Sequence, residues 1–407
     1  MTTKLTARAH AAAAGSLLAC FAMAAPAAPV DAGKPGETVT TGKPSRYGGP
    51  TQFRPTFSVP SLKTEFAIGG FVKFDAVYDM DYNTGGALNP FTLSQARETD
   101  GRIDGFVYES RLNFRSGTDT DFGRLDTVFE FDLWPDNEFN LRQAYATVNN
   151  WLFGHTWSNA WMTIGSLEDI KYGGVMGSSF GVRHSQVRYT MDLPNKNHFS
   201  VSLEEPTEVP IAMQGVASGS FESKLPVLTA RYEMGRRIGI SAMVRQLEVT
   251  EDAAAAADES VVGYAINLQA AYPILKSTSL RFSGIWGEGF ASYIPGGATA
   301  GPTSLRDAYV DADGDLEPVE LTAIQLGLAH AWNARTRSTI GYARVEQDEV
   351  PGAARLTDVA QYGFANVFWS PVPRVDWGIE YQWGDIELHS GEQRDASRIQ
   401  ATAIVQF

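Results

Sequence analysis

From Phe66 onward the side chains alternate in character with a period of two. Ile68, Gly70, Val72, Phe74, Ala76 and Tyr78 share one parity, and Phe71, Lys73, Asp75, Val77 and Asp79 share the other. A second segment sets Phe106, Tyr108, Leu112 and Phe114 against Glu109, Arg111, Asn113 and Arg115. The last sets Ile399, Ala401, Ala403, Val405 and Phe407 against Arg398, Gln400, Thr402 and Gln406. Such a pattern is that of strands with one apolar and one charged face. A half-buried strand of a soluble sandwich shows the same alternation, so the number of segments and their connections must decide.

The pattern predicts about 16 strands between residues 66 and 407, with boundaries loose by about 2–4 residues. Their connections alternate in length. Short turns are expected at 116–119, 149–150, 193–196, 235–236, 273–276, 333–335 and 371–373. Long ones fall at 80–104, 158–180, 205–225, 249–260 and 289–318, with shorter members near 133–139, 348–356 and 388–396. In an up-and-down meander alternate connections lie at the same end, so the long loops gather on one side. Short periplasmic turns and long external loops belong to transmembrane barrels, and closure removes the strand edges that hydrocarbon does not tolerate. The expected fold class is therefore all-β: a transmembrane antiparallel up-and-down β-barrel. Aromatics near strand ends, Tyr78, Trp134, Trp151, Trp157, Tyr189, Tyr272, Trp332, Trp369, Trp377 and Trp383, are candidates for interfacial girdles.

Composition agrees by exclusion. Past the N-terminus no run of 18 apolar residues occurs, which removes helical membrane spans. A net charge of -14 argues against a nucleic-acid partner. A single cysteine, Cys20, leaves no disulfide framework and no cysteine-based zinc site. Asp311-Ala312-Asp313-Gly314-Asp315 evokes a calcium loop, but Leu316 stands where an EF-hand needs glycine. The histidines lack metal-ligand spacing, and no nucleotide-binding or hydrolase motif is present. No cofactor, metal site or catalytic residue is implied.

Lys4, Arg8, the apolar stretch to Ala19 and the small residues up to Ala27 read as a cleaved signal peptide over 1–27. Leu17-Leu18-Ala19-Cys20 leaves lipidation at Cys20 as the competing reading. Residues 28–64, rich in proline and glycine, are expected to be a tether, and 65–407 the barrel domain.

Several segments together resemble the DcaP-like porins of Gram-negative outer membranes. They are Phe66 to Asp79, Leu141-Arg142-Gln143-Ala144-Tyr145, Gly154-His155-Thr156-Trp157-Ser158 and Val187-Arg188-Tyr189-Thr190. Ser202 to Pro206, Leu225 to Tyr232 and Arg398-Ile399-Gln400-Ala401 continue the set in the family's order. The resemblance implies a sixteen-stranded trimeric porin in the outer membrane that takes up small anionic, dicarboxylate-like solutes. Relatives commonly carry a helical coiled-coil segment after the signal, which the prolines of residues 31–60 rule out here.

For a water-filled barrel, strand parity assigns a pore-lining set: Lys73, Asp75, Glu109, Arg111, Arg115, Glu130, Asp132, Arg142, Arg188 and Arg398. Arginine suits two-pronged capture of carboxylates. The same arginines, paired with the same acids, equally describe a salt-bridge network that only holds the wall. Loop 158–180, with Glu168, Asp169 and Lys171, is the candidate constriction loop. Acid-rich external loops suggest lipopolysaccharide, bridged through divalent ions, as a partner. The rival readings are a barrel enzyme of lipase or protease type and a plugged structural or adhesive barrel. Packing of loop 289–318 inside the barrel is the feature that would favour the plugged form.

Overall fold

The computed structural model describes residues 57–134, 138–171, 174–206, 209–213, 216–221, 223–248, 260–298 and 301–407. The signal peptide, Cys20, most of the tether, Gly173 and the acidic and alanine-rich residues 251–259 lie outside the described residues.

The strands are β1 Thr64–Asp79, β2 in two pieces Arg102–Phe106 and Arg111–Thr120, β3 Gly123–Leu133, β4 Phe139–Val148, β5 Trp151–Trp157, β6 Arg183–Leu193, β7 Asn197–Glu204 and β8 Val227–Met234. They continue as β9 Ile238–Glu248, β10 Ser260–Leu275, β11 Thr278–Glu288, β12 Glu320–Ala331, β13 Thr336–Gln347, β14 Thr357–Val372, β15 Val375–Leu388 and β16 Gln393–Gln406. The sheet has 18 hydrogen-bonded segments; two of them make up β2 and one is the short stretch Phe57–Val59 beside β1, which leaves the 16 strands of a closed antiparallel barrel. Closure is between β1 and β16, with Phe71 opposite Gln406 and Asp79 opposite Arg398.

The loop asymmetry is as expected. One end carries tight turns such as Asn149-Asn150, where Asn149 adopts φ 52°, and Gly235, at φ 59°; both residue types accept the left-handed backbone that a tight hairpin needs. Three expected turns are displaced, one of them because β14 runs on through Pro371 to Val372. The segment 116–119 is strand, and β2 runs on to Thr120, while β10 runs on through Pro273 to Leu275. The other end carries the long connections. Segments Val209–Met213 and Val216–Phe221 form a four-stranded sheet there with Ala308–Val310 and Leu316–Pro318.

Parity holds along most strands. Ile68, Val72 and Phe74 are exposed on the outer face, while Lys73, Asp75 and Asp79 are buried inside. It fails within β2. Residues 107–110 interrupt the strand, with Glu109 at φ 64°, and the break shifts the phase. Phe106 pairs with Asp75 and is buried inside rather than facing out with Phe114. Trp134, Trp151, Tyr272, Trp332 and Trp369 are exposed on the outside. Tyr78 is buried and is not a girdle residue.

The external half of the lumen is not an open tube. Leu88, Phe91 and Leu93 of loop 80–101, Met176 and Phe180 of loop 158–182, and Phe290, Tyr293 and Leu305 of loop 289–319 form one buried apolar cluster. Its wall partners include Val345, Tyr362 and Ile386. Inward apolar residues on β12 to β15 thus face loops instead of water, so those strands are apolar on both faces near their external ends. Loop 289–319 does pack inward, as the plugged reading required. It rests on this cluster, is fastened by Arg245 to Asp307 at 3.5 Å, and reaches β6 through Tyr293, whose ring centre lies 5.3 Å from that of His184.

Candidate functional site: the loop belt and the arginine wall

Loop 158–182 descends into the barrel and runs round its inner wall as a belt. The wall strands supply a fastening at nearly every step. Glu204 accepts from the Asn159 amide at 2.7 Å. Ser241 donates to the Ala160 carbonyl at 2.7 Å and Arg231 to that of Trp161 at 2.8 Å. Gln269 takes the Gly165 amide at 2.8 Å, Arg281 donates to the Ile164 carbonyl at 2.8 Å, and Gln325 to that of Gly165 at 2.7 Å. Asn366 donates to the Glu168 carbonyl at 2.7 Å, and Glu380 accepts from the Ile170 amide at 3.0 Å. Lys73 closes the series by donating to the Ile170 carbonyl at 3.0 Å. The described residues of the loop form no sheet of their own, so their backbone groups need these partners wherever they are buried.

Leu167 presses on the wall where β12 and β13 carry Gly327 and Gly341. A Cβ on Gly327 would stand 2.6 Å from the leucine Cδ1. Glycine there lets the loop lie directly on the strand backbone.

The loop's three charged residues have different surroundings. The Glu168 carboxylate is half-exposed and held by the Arg337 guanidinium at 2.7 Å. Asp169 is half-buried, with Oδ2 covered; desolvation, with Glu380 nearby, raises its carboxyl well above the usual range. Burial lowers the Lys171 ammonium to about 8 against the pull of Asp169 and Glu380, and it lies 4.5 Å from the Tyr362 ring centre.

The remaining candidates divide into wall and water-facing groups. Lys73 bridges Asp75 at 3.2 Å and Glu109 at 2.7 Å. Arg142 holds Glu130 at 3.2 Å and also Asp132. Arg398 clasps Asp79 and the Gly85 carbonyl. Arg188 donates to Gln186 at 2.9 Å and to the Trp157 carbonyl at 2.5 Å. Arg115 faces inward and is buried. The side chains of Asp75, Asp132, Arg188 and Arg398 are essentially fully covered within the wall. Desolvated charges require such partners, so strong inward charge reads as wall chemistry here.

Arg111 stays open. Its side chain is 26% exposed, and its contact with Glu130 is long, at 3.8 Å. Beside it is a residue that strict alternation misses. Arg183 begins β6 opposite Trp157, and its guanidinium lies 4.9 Å from that ring. Among the described residues no carboxylate lies within ion-pair distance of Arg183, and its Nη1 is buried without a hydrogen-bond partner. Trp157 stacks on Trp161 of the belt at 4.7 Å and 11°. Arg142 lies 5.7 Å from the Trp157 ring, and Arg142 and Arg111 are the like charges that bear on Arg183. A bulge at the β3–β4 pairing lets Arg142 and Gln143 both be buried inside, which no two-residue period predicts.

Several solved structures share this architecture. The outer membrane channel DcaP of Acinetobacter baumannii superposes with a TM-score of 0.72 at 22% identity, over 86% of this chain and 99% of that one. An anion-selective porin from Comamonas acidovorans matches at TM-score 0.53 and 12% identity, over 84% of this chain and 100% of that one. OmpT of Vibrio cholerae in its trimer form gives 0.53 and 14%, over 84% and 99% of the two chains. At these identities the likeness is one of fold. No curated protein matches the chain. The family model described as DcaP outer membrane protein matches residues 63–407, and the chain belongs to that family of Gram-negative outer-membrane channel proteins.

Proposed function

We propose that the channel passes small anionic solutes down their gradient, and that solute carboxylates meet Arg183 and Arg111 where the belt narrows the lumen. One observation carries the reading. At the β2 to β6 wall the acids Glu130 and Asp132 are covered by their own partners, while Arg111 is open and Arg183 has a tryptophan face instead of a counter-ion. The charge that water meets there is positive. The Arg183 guanidinium lies against a ring and keeps a donor, Nη1, without a partner, which suits it to a carboxylate. Lys73, Glu109, Arg115 and Arg142 shape the field from the wall, and Glu168, Asp169 and Lys171 set the loop that forms the constriction.

Transport of this kind uses the solute gradient alone, with no catalytic step. We also infer a homotrimer whose external loops meet lipopolysaccharide; support for the trimer comes from the fold shared with a porin solved in trimer form. The solute claim is tested by blockade. Succinate added to a planar bilayer carrying the wild-type channel should interrupt the chloride current. Arg183→Ala should shorten or abolish the interruptions while the open current persists. Blockade identical in wild type and Arg183→Ala would remove the site.

A further inference from the structure

The two open guanidiniums share a second feature. Each lies against the ring of its own cross-strand neighbour. Arg183 pairs with Trp157 and lies 4.9 Å from its ring centre. Arg111 pairs with Phe71 and lies 5.4 Å from its ring centre. A cation within about 6 Å of a ring centre is attracted by the π face. Phe71 stands on the inward parity of β1, with Lys73 and Asp75, and is half-buried. It is an apolar residue on the polar side of its strand.

The register offers Arg111 an alternative. On its other flank β3 sets Asp132 directly opposite. A cross-strand ion pair of that kind forms at the seam, where Arg398 stands opposite Asp79 and donates to it. Arg111 does not form one. Among the described residues the only carboxylate within ion-pair distance of it is that of Glu130, at 3.8 Å, and its Nε is buried without a hydrogen-bond partner.

The acids nearby are engaged elsewhere. Arg142 holds Glu130 at 3.2 Å and Asp132 as well, while Gln143 donates to Glu130 at 3.1 Å and Asn140 to Asp132 at 3.0 Å. Lys73 holds Asp75 and Glu109. Lys73, Arg111, Arg142 and Arg183 thus stand among Asp75, Glu109, Glu130 and Asp132. Their formal charges cancel, so the sign that water meets is decided by which groups are covered. A carboxylate has lone pairs for more than one donor. Collapse of Arg111 onto Glu130 or Asp132 would therefore hide the positive charge.

We propose that Phe71 is a positioning residue of the anion site: its ring seats the Arg111 guanidinium and keeps it off Glu130 and Asp132. Trp157 gives Arg183 the same kind of seat. A ring attracts the cation without neutralising it and leaves its donors to a solute carboxylate. The effect on selectivity rests on the anion reading; the seat itself concerns only where one side chain lies.

The test reads the seat and its effect separately. Folded wild type in detergent is treated with phenylglyoxal, which modifies accessible guanidiniums, and Arg111 is followed by peptide mapping. Phe71→Leu removes the ring without changing any charge and should lower modification of Arg111 about threefold, the weight of one such contact. Phe71→Tyr keeps a ring and should preserve it. In a planar bilayer Phe71→Leu should also lower the chloride-over-potassium permeability ratio, with no further effect in an Arg111→Ala background. Should Phe71→Leu fail to fold, Phe71→Met also lacks a ring and is read in the same way. Equal or greater modification of Arg111 in the folded variant overturns the proposal. So does an equal loss of selectivity with and without Arg111. Lowered modification with an unchanged permeability ratio leaves the seat standing and counts against the anion reading instead.

Discussion

Arg398 of the last strand donates two hydrogen bonds to Asp79 of the first, at 2.7 and 3.2 Å, across the seam that closes the barrel. Both side chains are almost wholly covered, and the two residues are direct cross-strand partners. Removing one partner strands a buried charge, which costs about 3–5 kcal/mol. Asp79→Ala should lower resistance to denaturant in detergent by about that amount. Replacing both residues with apolar ones should recover most of the loss. An unchanged midpoint in Asp79→Ala would show that the seam does not depend on the pair.

Arg337 should matter more to the channel than to the fold. Its pair with Glu168 is half-exposed, and such pairs contribute about 0–1 kcal/mol. Arg337→Ala should therefore barely alter unfolding. It frees one fastening of the belt, so single-channel records should become noisier. Quiet records with a large loss of stability would reverse the assignment.

Lys171 gives a pH dependence with a definite sign. Its ordinary value is 10.5, and burial lowers it to about 8 in the folded protein. Between those values the unfolded chain still holds a proton that the folded chain has released. Folding stability from this group therefore rises with pH across that window and is flat below it. Unfolding midpoints in detergent should rise between pH 8 and 10.5 more steeply in wild type than in Lys171→Met. Parallel slopes would contradict the burial of a chargeable amine in the belt.

The barrel is legible in the sequence because hydrocarbon outside and polar groups inside impose a two-residue period on each strand. Ile68, Val72 and Phe74 can face only one way once Lys73 and Asp75 face the other. Parity misleads where backbone irregularity shifts that period, at the break around Glu109 and at the bulge by Arg142. It also misleads where the lumen is filled: Tyr362 and Val345 point inward to meet loops, and no local pattern says that residues so distant in sequence will cover them. Arg183 escapes it for a related reason. It stands at the end of a strand, where the chain leaves the ladder and parity loses its hold. The belt leaves one trace, long hydrogen-bond donors facing inward on strands between β8 and β14, as at Arg231, Gln269, Arg281, Gln325 and Asn366.

The central claim is that water at the β2 to β6 wall of the narrowed lumen meets guanidinium groups rather than carboxylates, and the reversal potential across a planar bilayer in a KCl gradient measures it most directly. Wild type should reverse on the chloride side, and the double variant Arg111→Ala, Arg183→Ala should move toward no preference. A wild-type channel that prefers potassium, with the double variant unchanged, would contradict the account.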